Sequence, residues 1–303
     1  MRAEYSDIGV DQRAAQDVIS KQYLNWFPSA HVGYELNTQN TIQLSYSYRI
    51  NRPRFRSLLP FSNFSDARNF RQGNPDLDPE YTHSMEAGYL KYWETGSLTS
   101  SIYYRYRTGV IEDITLIDPV TGFAIRTPAN LALEHAFGVE FAGNQDITDW
   151  WQLNGSLNFY RAITQGAFTT PEGQVLDLSR DTYAWEGRVN NQMDLPKAFK
   201  AQFSFSYRSG QITPQGRSLP MYGVDLGINK EILNEKGTIT LSVRDLFNTR
   251  RWRQEIRTDE IFRTIEAQRW GRQQFILSFN YRLNQEKGRG GRGGARPGGG
   301  GDF

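Results

Sequence analysis

Four segments of this chain alternate apolar and polar side chains with a period of two, and nothing else in the sequence constrains the fold as much. In TIQLSYSYRI, Ile42, Leu44, Tyr46, Tyr48 and Ile50 share one parity, and Gln43, Ser45, Ser47 and Arg49 the other. KAQFSFSYRS sets Ala201, Phe203, Phe205 and Tyr207 against Gln202, Ser204, Ser206 and Arg208. GTITLSVRD and QQFILSFNYRL repeat the pattern, and weaker copies lie near residues 136–143, 151–160 and 222–230. Successive side chains of a strand point to opposite faces, so each segment has one apolar and one polar face. No amphipathic helix pattern of comparable quality occurs.

The connections alternate between short and long. Turn compositions stand at NTQN, ETGS, TDW, LPKA and NEKG. Between them lie polar stretches near residues 10–21, 51–79, 117–123, 164–181, 209–218 and 250–263. A soluble compact domain rarely holds a loop as long as 51–79. A transmembrane barrel does so routinely, with short turns on the periplasmic side and long loops outside. The segments predict about twelve strands: near 2–9, 22–36, 41–51, 80–93, 98–117, 124–147, 151–163, 182–194, 199–209, 219–233, 238–250 and 264–283. With an even count and an outward first strand, the C-terminus falls in the periplasm.

An aromatic or apolar residue followed by Arg recurs at Tyr48-Arg49, Tyr104-Arg105, Tyr160-Arg161, Tyr207-Arg208 and Val243-Arg244. Each pair stands late in an outward strand. Aromatics at a membrane boundary form girdles. Four of these Arg have the polar parity and suit a water-filled lumen. Arg161 has the apolar parity and belongs at headgroup level, because a cation facing hydrocarbon at mid-depth is expensive.

Alternation alone also fits a soluble β-sandwich whose apolar face points inward. Tyrosine-rich apolar faces, the short/long asymmetry and the alternating final strand favour the membrane. Composition agrees: aromatics are 14% of 303 residues, yet mean hydropathy is -0.63, and no run approaches the ~18 apolar residues of a membrane helix. The net charge of +2 comes from residues 284–303, which leaves the remaining body with 31 basic and 31 acidic groups. A neutral body argues against a nucleic-acid partner. The N-terminus has no apolar stretch of signal-peptide type, so the chain is expected either to be cytoplasmic or to begin inside a larger gene product.

These residues resemble a known family. INRPRFRSLLPF (50–61), GNPDLDPE (73–80) and SMEAGY (84–89) are similar to the barrel of TonB-dependent receptors, in particular the Bacteroidota outer-membrane β-barrel family. NWFPSAHVGYEL (25–36), LSVRDLFNTR (241–250) and the closing QQFILSFNYRL are similar to further strands of it. The resemblance covers roughly 2–283. It implies an antiparallel barrel of about 22 strands, a plug inside it, and a segment that engages TonB. Residues 1–283 are then the C-terminal part of such a barrel in a Gram-negative outer membrane. Its partners would be membrane lipid and lipopolysaccharide, the N-terminal barrel half and plug, TonB through that plug, and a large nutrient. Two unpaired edges in lipid are not viable. Either further strands complete the barrel, which is expected, or these strands close into a smaller one.

The candidate ligand-binding residues are Arg52, Arg54, Arg56, Arg68 and Arg71, whose charge in one long loop could attract an anionic chelate or acidic glycan. They could equally pair with lipopolysaccharide phosphates or with Asp66 and Asp76. Pro53, Gly73, Asn74, Pro75 and Pro79 read as a rigid re-entry into a strand, and Asp245, Phe247 and Asn248 as a structural turn. No catalytic residue, metal ligand or cofactor is expected. There is no Cys, the three His lie apart, and the pairs Glu112/Asp113 and Asp259/Glu260 point to opposite faces. No G-x-S-x-G or P-loop occurs. Residues 284–303, rich in Gly and Arg, read as a disordered periplasmic appendage. The expected function is nutrient uptake. A non-transporting binding or adhesion barrel is the alternative, and a barrel-embedded hydrolase is weaker.

Overall fold

The computed structural model describes residues 1–12, 17–59, 69–117, 123–130, 133–170, 173–234, 236–257, 262–267 and 273–283. In chain order, β1 (Arg2–Gln12) and β2 (Asp17–Phe27) precede β3 (Ser29–Asn37) and β4 (Asn40–Asn51). One helical turn, α1 (Phe55–Leu58), and β5 (Asn69–Arg71) lead to β6 (Glu80–Trp93) and β7 (Gly96–Thr108). Then come β8 (Ile111–Ile117), β9 (Ala124–Asn130), β10 (Leu133–Thr148), β11 (Trp151–Gln165), β12 (Ala167–Thr169) and β13 (Val175–Asp177). The chain continues through β14 (Arg180–Leu195), β15 (Phe199–Arg208), β16 (Gln211–Thr213), β17 (Gly216–Ser218), β18 (Met221–Ile232) and β19 (Gly237–Arg244). It ends with β20 (Trp252–Arg257), β21 (Phe262–Ala267) and β22 (Gln274–Tyr281).

Eleven strands form one sheet in the order β22-β19-β18-β15-β14-β11-β10-β7-β6-β4-β3. All neighbours are antiparallel: five of the ten pairings join consecutive strands through short hairpin turns, and the other five are joined through the long connections that carry the remaining elements. Registers keep parity across the sheet. Phe141 faces Leu157 and Ser100, while Glu140 faces Asn158 and Ser101. One whole face is therefore apolar and the other polar.

Among the described residues, no second layer covers the apolar face. Leu44 is 54% exposed, Ile102 62% and Leu277 75%. A sandwich would have buried these side chains against a facing sheet, so the soluble reading fails on this point. A row of rings crosses the apolar face towards the long-loop end. His83 stacks on Tyr48 at 4.3 Å and lies 6.2 Å from Tyr106, which is 4.9 Å from His135. Arg161 stands on the same face, two residues from the rung that pairs Ile163 with His135.

Pro28 interrupts the strand read at 22–36. The ladder nevertheless continues through its carbonyl, which accepts the Tyr48 N–H at 3.0 Å. β2 is thus the upper extension of β3, and β1 pairs with β2 from Arg2 opposite Phe27 to Gln12 opposite Asp17. With β1, the eleven-stranded sheet makes the twelve strands expected. β3 has no partner on its outer side among the described residues, nor has β22 on its own. Ten antiparallel pairings separate them, so the two edge strands run in the same direction.

The long segments at 98–117, 124–147, 238–250 and 264–283 are not single wall strands. The first breaks at Gly109, whose φ of +65° turns the chain off the wall. A Cβ there would meet the Pro79 carbonyl oxygen at 2.9 Å. β8 then pairs with β9 instead of with the wall. The second divides into β9 and β10, the third stops at Arg244, and the fourth divides into β21 and β22. Alternation persists across these breaks, because loop strands have two faces as well.

The long connections build a second layer over one end of the wall. It holds the sheets β5-β9-β8 and β16-β17-β20-β21 and the hairpin β12-β13. Ile114, Ala129 and Leu178 form its small core with Leu116, Phe168 and Leu176. The Gln215 side-chain amide accepts from the Thr115 N–H at 2.7 Å and donates to its carbonyl at 2.8 Å. That pair of bonds ties the two loop sheets together.

Candidate functional site

The polar face is concave. Arg105, Glu140, Asn158, Glu186, Ser206 and Asp225 come from six consecutive wall strands, β7 to β18, and line one recess of about 790 Å³. Two further recesses join it beneath the loop layer. One of about 400 Å³ shares Arg105, Asn158 and Glu186 with it. The other, of about 490 Å³, shares Arg208 and reaches the residues of the first long loop. Period-two alternation on a curved sheet makes this surface: each strand contributes every second residue to it.

Charges on the inner face pair across strands. Arg107 donates to Glu134 Oε1 through Nε at 3.0 Å and Nη2 at 2.5 Å, and Thr164 Oγ1 donates to Glu134 Oε2 at 3.0 Å. Arg180, at the start of β14, donates to Glu112 of β8 and lies 3.9 Å from Glu134 Oε2. Arg208 donates to Glu186 at 3.2 Å. Arg105 lies over the Tyr103 ring at 4.3 Å. The aromatic-Arg pattern and its parity point to Arg105 and Arg208. Arg107 follows Tyr106 and shares the parity of Arg105, whereas Glu134 and Arg180 carry no such signal, and the meeting of the three depends on which strands become neighbours. Glu112 and Asp113 do diverge: Glu112 takes Arg180, while Asp113 takes Arg126 at 2.8 Å and Arg71 at 3.5 Å.

Of the five arginines singled out in the first long loop, Arg52, Arg54 and Arg71 line the outer recess. Arg56 stands exposed on α1, and Arg68 lies outside the described residues. Asp66 also lies outside the described residues, and among the described residues the Asp76 carboxylate pairs with none of these arginines. Arg52 Nη2 donates to Glu4 Oε2 at 2.6 Å and Ser6 Oγ at 2.7 Å, bringing β1 onto the loop. That hydrogen bond holds the Glu4 carboxyl below its ordinary pKa and raises that of Arg52.

The segment 73–80 is a hub. Gly73 and Asn74 donate backbone N–H groups to the Leu59 and Ser57 carbonyls at 2.9 and 2.7 Å. A Cβ at Gly73 would lie 2.2 Å from the Leu59 oxygen. Asn74 Oδ1 accepts the Asp76 N–H at 2.9 Å, closing the turn around Pro75. Leu77, 1% exposed, is driven inward. Lys21 Nζ reaches the carbonyls of Asp76 and Leu77 and the Asp78 carboxylate at 2.8–2.9 Å. After Pro79, Glu80 accepts from Ile111 N and Asn51 Nδ2, both at 2.6 Å. Pro53 sits beside this hub on the outer recess.

The 245–250 corner is built on a buried carboxylate. Asp245, with φ +52°, accepts the backbone N–H groups of Thr249 and Arg250 at 3.0 and 3.1 Å. Asn248, with φ +54°, donates to the Asp245 carbonyl at 2.8 Å, and Phe247 points outward, 63% exposed. Arg250 folds back onto Asp225 at 2.9 Å, crossing β18 where Gly223 leaves room. The corner therefore places a guanidinium on the wall of the large recess. The three His do not converge, and no group of three His, Cys, Asp or Glu suited to a metal occurs among the described residues.

Comparison with known proteins agrees with this architecture. The ferric yersiniabactin uptake receptor FyuA of Yersinia pestis superposes with a TM-score of 0.59 at 14% identity, covering 87% of this chain and 38% of that one. The copper transporter OprC gives 0.57 at 12% identity, with 88% and 40% covered. The FrpB iron transporter of Neisseria meningitidis gives 0.54 at 13% identity, with 88% and 40% covered. At such identities the likeness is one of fold, and the chain spans about two fifths of the length of these structures. No curated protein sequence matches it. Residues 1–281 match the profile described as the outer membrane protein beta-barrel family. With an exposed apolar face, a concave polar face and long loops gathered at one end, the chain belongs to that outer-membrane β-barrel family.

Proposed function

We propose that this chain forms the C-terminal part of the wall and outer mouth of a TonB-dependent receptor that imports a large nutrient such as a metal chelate, cobalamin or a glycan. The observation that carries the reading is the continuous polar recess on the concave face, roofed by loop strands at one end. A wall strand such as β11, with 15 residues, is about 50 Å long. Tilted by ~40°, it exceeds the ~25 Å apolar band of such barrels, and the excess supports the roof. Iron, ferric-siderophore and copper transport by the solved relatives supports the same reading.

The wall is incomplete without further strands. β1, antiparallel to β2, is the twelfth strand, and it runs opposite to β22, so antiparallel closure needs an even number of additional strands. The ten that would make 22 satisfy that condition. In this reading the long loops face outward, the short turns and the C-terminus face the periplasm, and the aromatic row meets lipid headgroups and lipopolysaccharide. A plug within the full barrel engages TonB, and Arg52, Arg54 and Arg71 face the incoming ligand. The chain performs no chemistry. Residues 284–303, read from the sequence as a periplasmic appendage, lie outside the described residues.

Uptake by cells expressing the full-length gene product, assayed against chelated iron, cobalamin and glycan panels with and without TonB, tests the proposal. TonB-dependent accumulation of one panel supports it. Surface binding without accumulation of any panel replaces it with an adhesion barrel.

A further inference from the structure

We propose that the recess of about 400 Å³ between β7, β10, β11, β14 and the loop layer binds a single oxyanion, a carboxylate or phosphate group carried by a larger ligand. The inference rests on the reading of the concave face as a water-filled interior and adds the chemical class that this part of it takes.

Arg180 carries the argument. Its side chain is 9% exposed. Nη2 is engaged by Glu112, yet Nη1 is buried and has no hydrogen-bond partner. Buried guanidinium donors are ordinarily satisfied, and one that is not marks a place for an absent acceptor. Charge points the same way. Glu134 is held by Arg107, Glu112 by Arg180 and Glu186 by Arg208, so each carboxylate lining the recess has its cation. Arg105 also lines it, and its partner there is the Tyr103 ring rather than a carboxylate. Because Glu186 is held by Arg208 from outside this recess, Arg105 is the one lining cation that no carboxylate engages.

Tyr160 supplies a neutral donor. Its oxygen accepts from Gln211 Nε2, which leaves the phenolic O–H to donate into the recess that Tyr160 lines. Arg180 Nη1, Arg105 and Tyr160 are donors that none of the recess carboxylates engages, which suits one anion.

Binding of 4-fluorobenzoate, 4-fluorophenyl phosphate and neutral 4-fluorobenzamide to the purified full-length protein in detergent, followed by ¹⁹F NMR, tests this. Saturable binding of at least one anion, and none of the amide, is expected; which anion binds tells carboxylate from phosphate. Arg105→Gln and Tyr160→Phe should each weaken it roughly tenfold, about the worth of one charge-assisted hydrogen bond. Arg180→Gln should weaken it further, but that variant also frees Glu112, so the other two decide. Equal affinity in Arg105→Gln and Tyr160→Phe, equal binding of the amide, or no binding of either anion overturns the proposal. Because binding is read on purified protein, a failure of cellular uptake counts against transport and not against this site, and absent binding leaves transport standing.

Discussion

Arg161 and Asp181 meet through two hydrogen bonds on the apolar face of the sheet, Nε to Oδ1 at 2.8 Å and Nη2 to Oδ2 at 2.5 Å. The guanidinium also lies 5.0 Å from the Tyr183 ring and 5.8 Å from that of Phe137. A bidentate pair among aromatics suits a boundary between hydrocarbon and headgroups, where a lone cation would be tolerated less well. Asp181→Ala should therefore lower the thermal midpoint more than Arg161→Ala, since the first leaves an unpaired cation facing lipid. The double variant should recover most of the difference. Unfolding in detergent or lipid vesicles compares the three. Equal losses in both single variants would place the pair in open water.

The 73–80 hub should be sensitive at its buried residue and at its closest approach. Leu77→Ala removes a fully enclosed side chain and should cost about 2–5 kcal/mol. Gly73→Ala forces a carbon against the Leu59 carbonyl and should disturb the same loop. Denaturant unfolding gives the first figure. Hydrogen exchange at the amides of residues 73 and 74, which donate to the Leu59 and Ser57 carbonyls, reads the second, and unchanged protection there would show that the loop yields freely.

At the 245–250 corner, Asp245→Ala strips two backbone N–H groups of their acceptor and leaves at positive φ a methyl side chain that makes no compensating bond. It should cost about 1–2 kcal/mol. Asp245→Asn keeps an amide oxygen and tolerates the left-handed conformation, so it should lose less than half of that. If both variants lose the same amount in equilibrium unfolding, the corner does not rest on those hydrogen bonds.

The tie between β1 and the first long loop should depend on pH. The Glu4 carboxyl is held below its ordinary value chiefly by the Arg52 hydrogen bond, against a smaller opposing effect of burial. A depressed carboxylate stabilises the folded state fully above its unfolded pKa, about 4.5, and loses that contribution as pH falls through the lower folded value. Protection of β1 amides should therefore fall in that acid range, and Glu4→Gln should abolish the dependence. A β1 whose protection falls equally in both proteins titrates through some other group.

Glu134 is enclosed between Arg107, Thr164 and Arg180. Glu134→Gln leaves Arg107 without its carboxylate and Arg180 with Glu112 alone, and should destabilise by about 1–3 kcal/mol, measured by denaturant unfolding. If stability is unchanged, water already compensates those cations.

The sequence by itself determined the wall. Ile42 to Ile50, Ala201 to Tyr207 and Phe275 to Leu283 carry their faces in their parity, because a strand's side-chain period is fixed by backbone geometry and needs no partner to be read. The same parity placed Arg105 and Arg208 on the polar face and Arg161 on the apolar one. Turn chemistry was equally local: Asn74 caps its own turn, and Asp245 holds residues four and five further on. Tertiary structure decided what lies far apart in the chain. Alternation alone could not say where β7 ends and β8 begins, because a loop strand and a wall strand share one period, and the break at Gly109 shows only when Pro79 is seen against it. Nor could it join Arg52 to Glu4, Arg71 to Asp113, or Glu112 to Arg180, since such pairs depend on how loops from different hairpins settle over the wall. The recess and its unsatisfied Arg180 nitrogen exist only where those long-range choices meet, because local periodicity sets the direction of a side chain but not its neighbour.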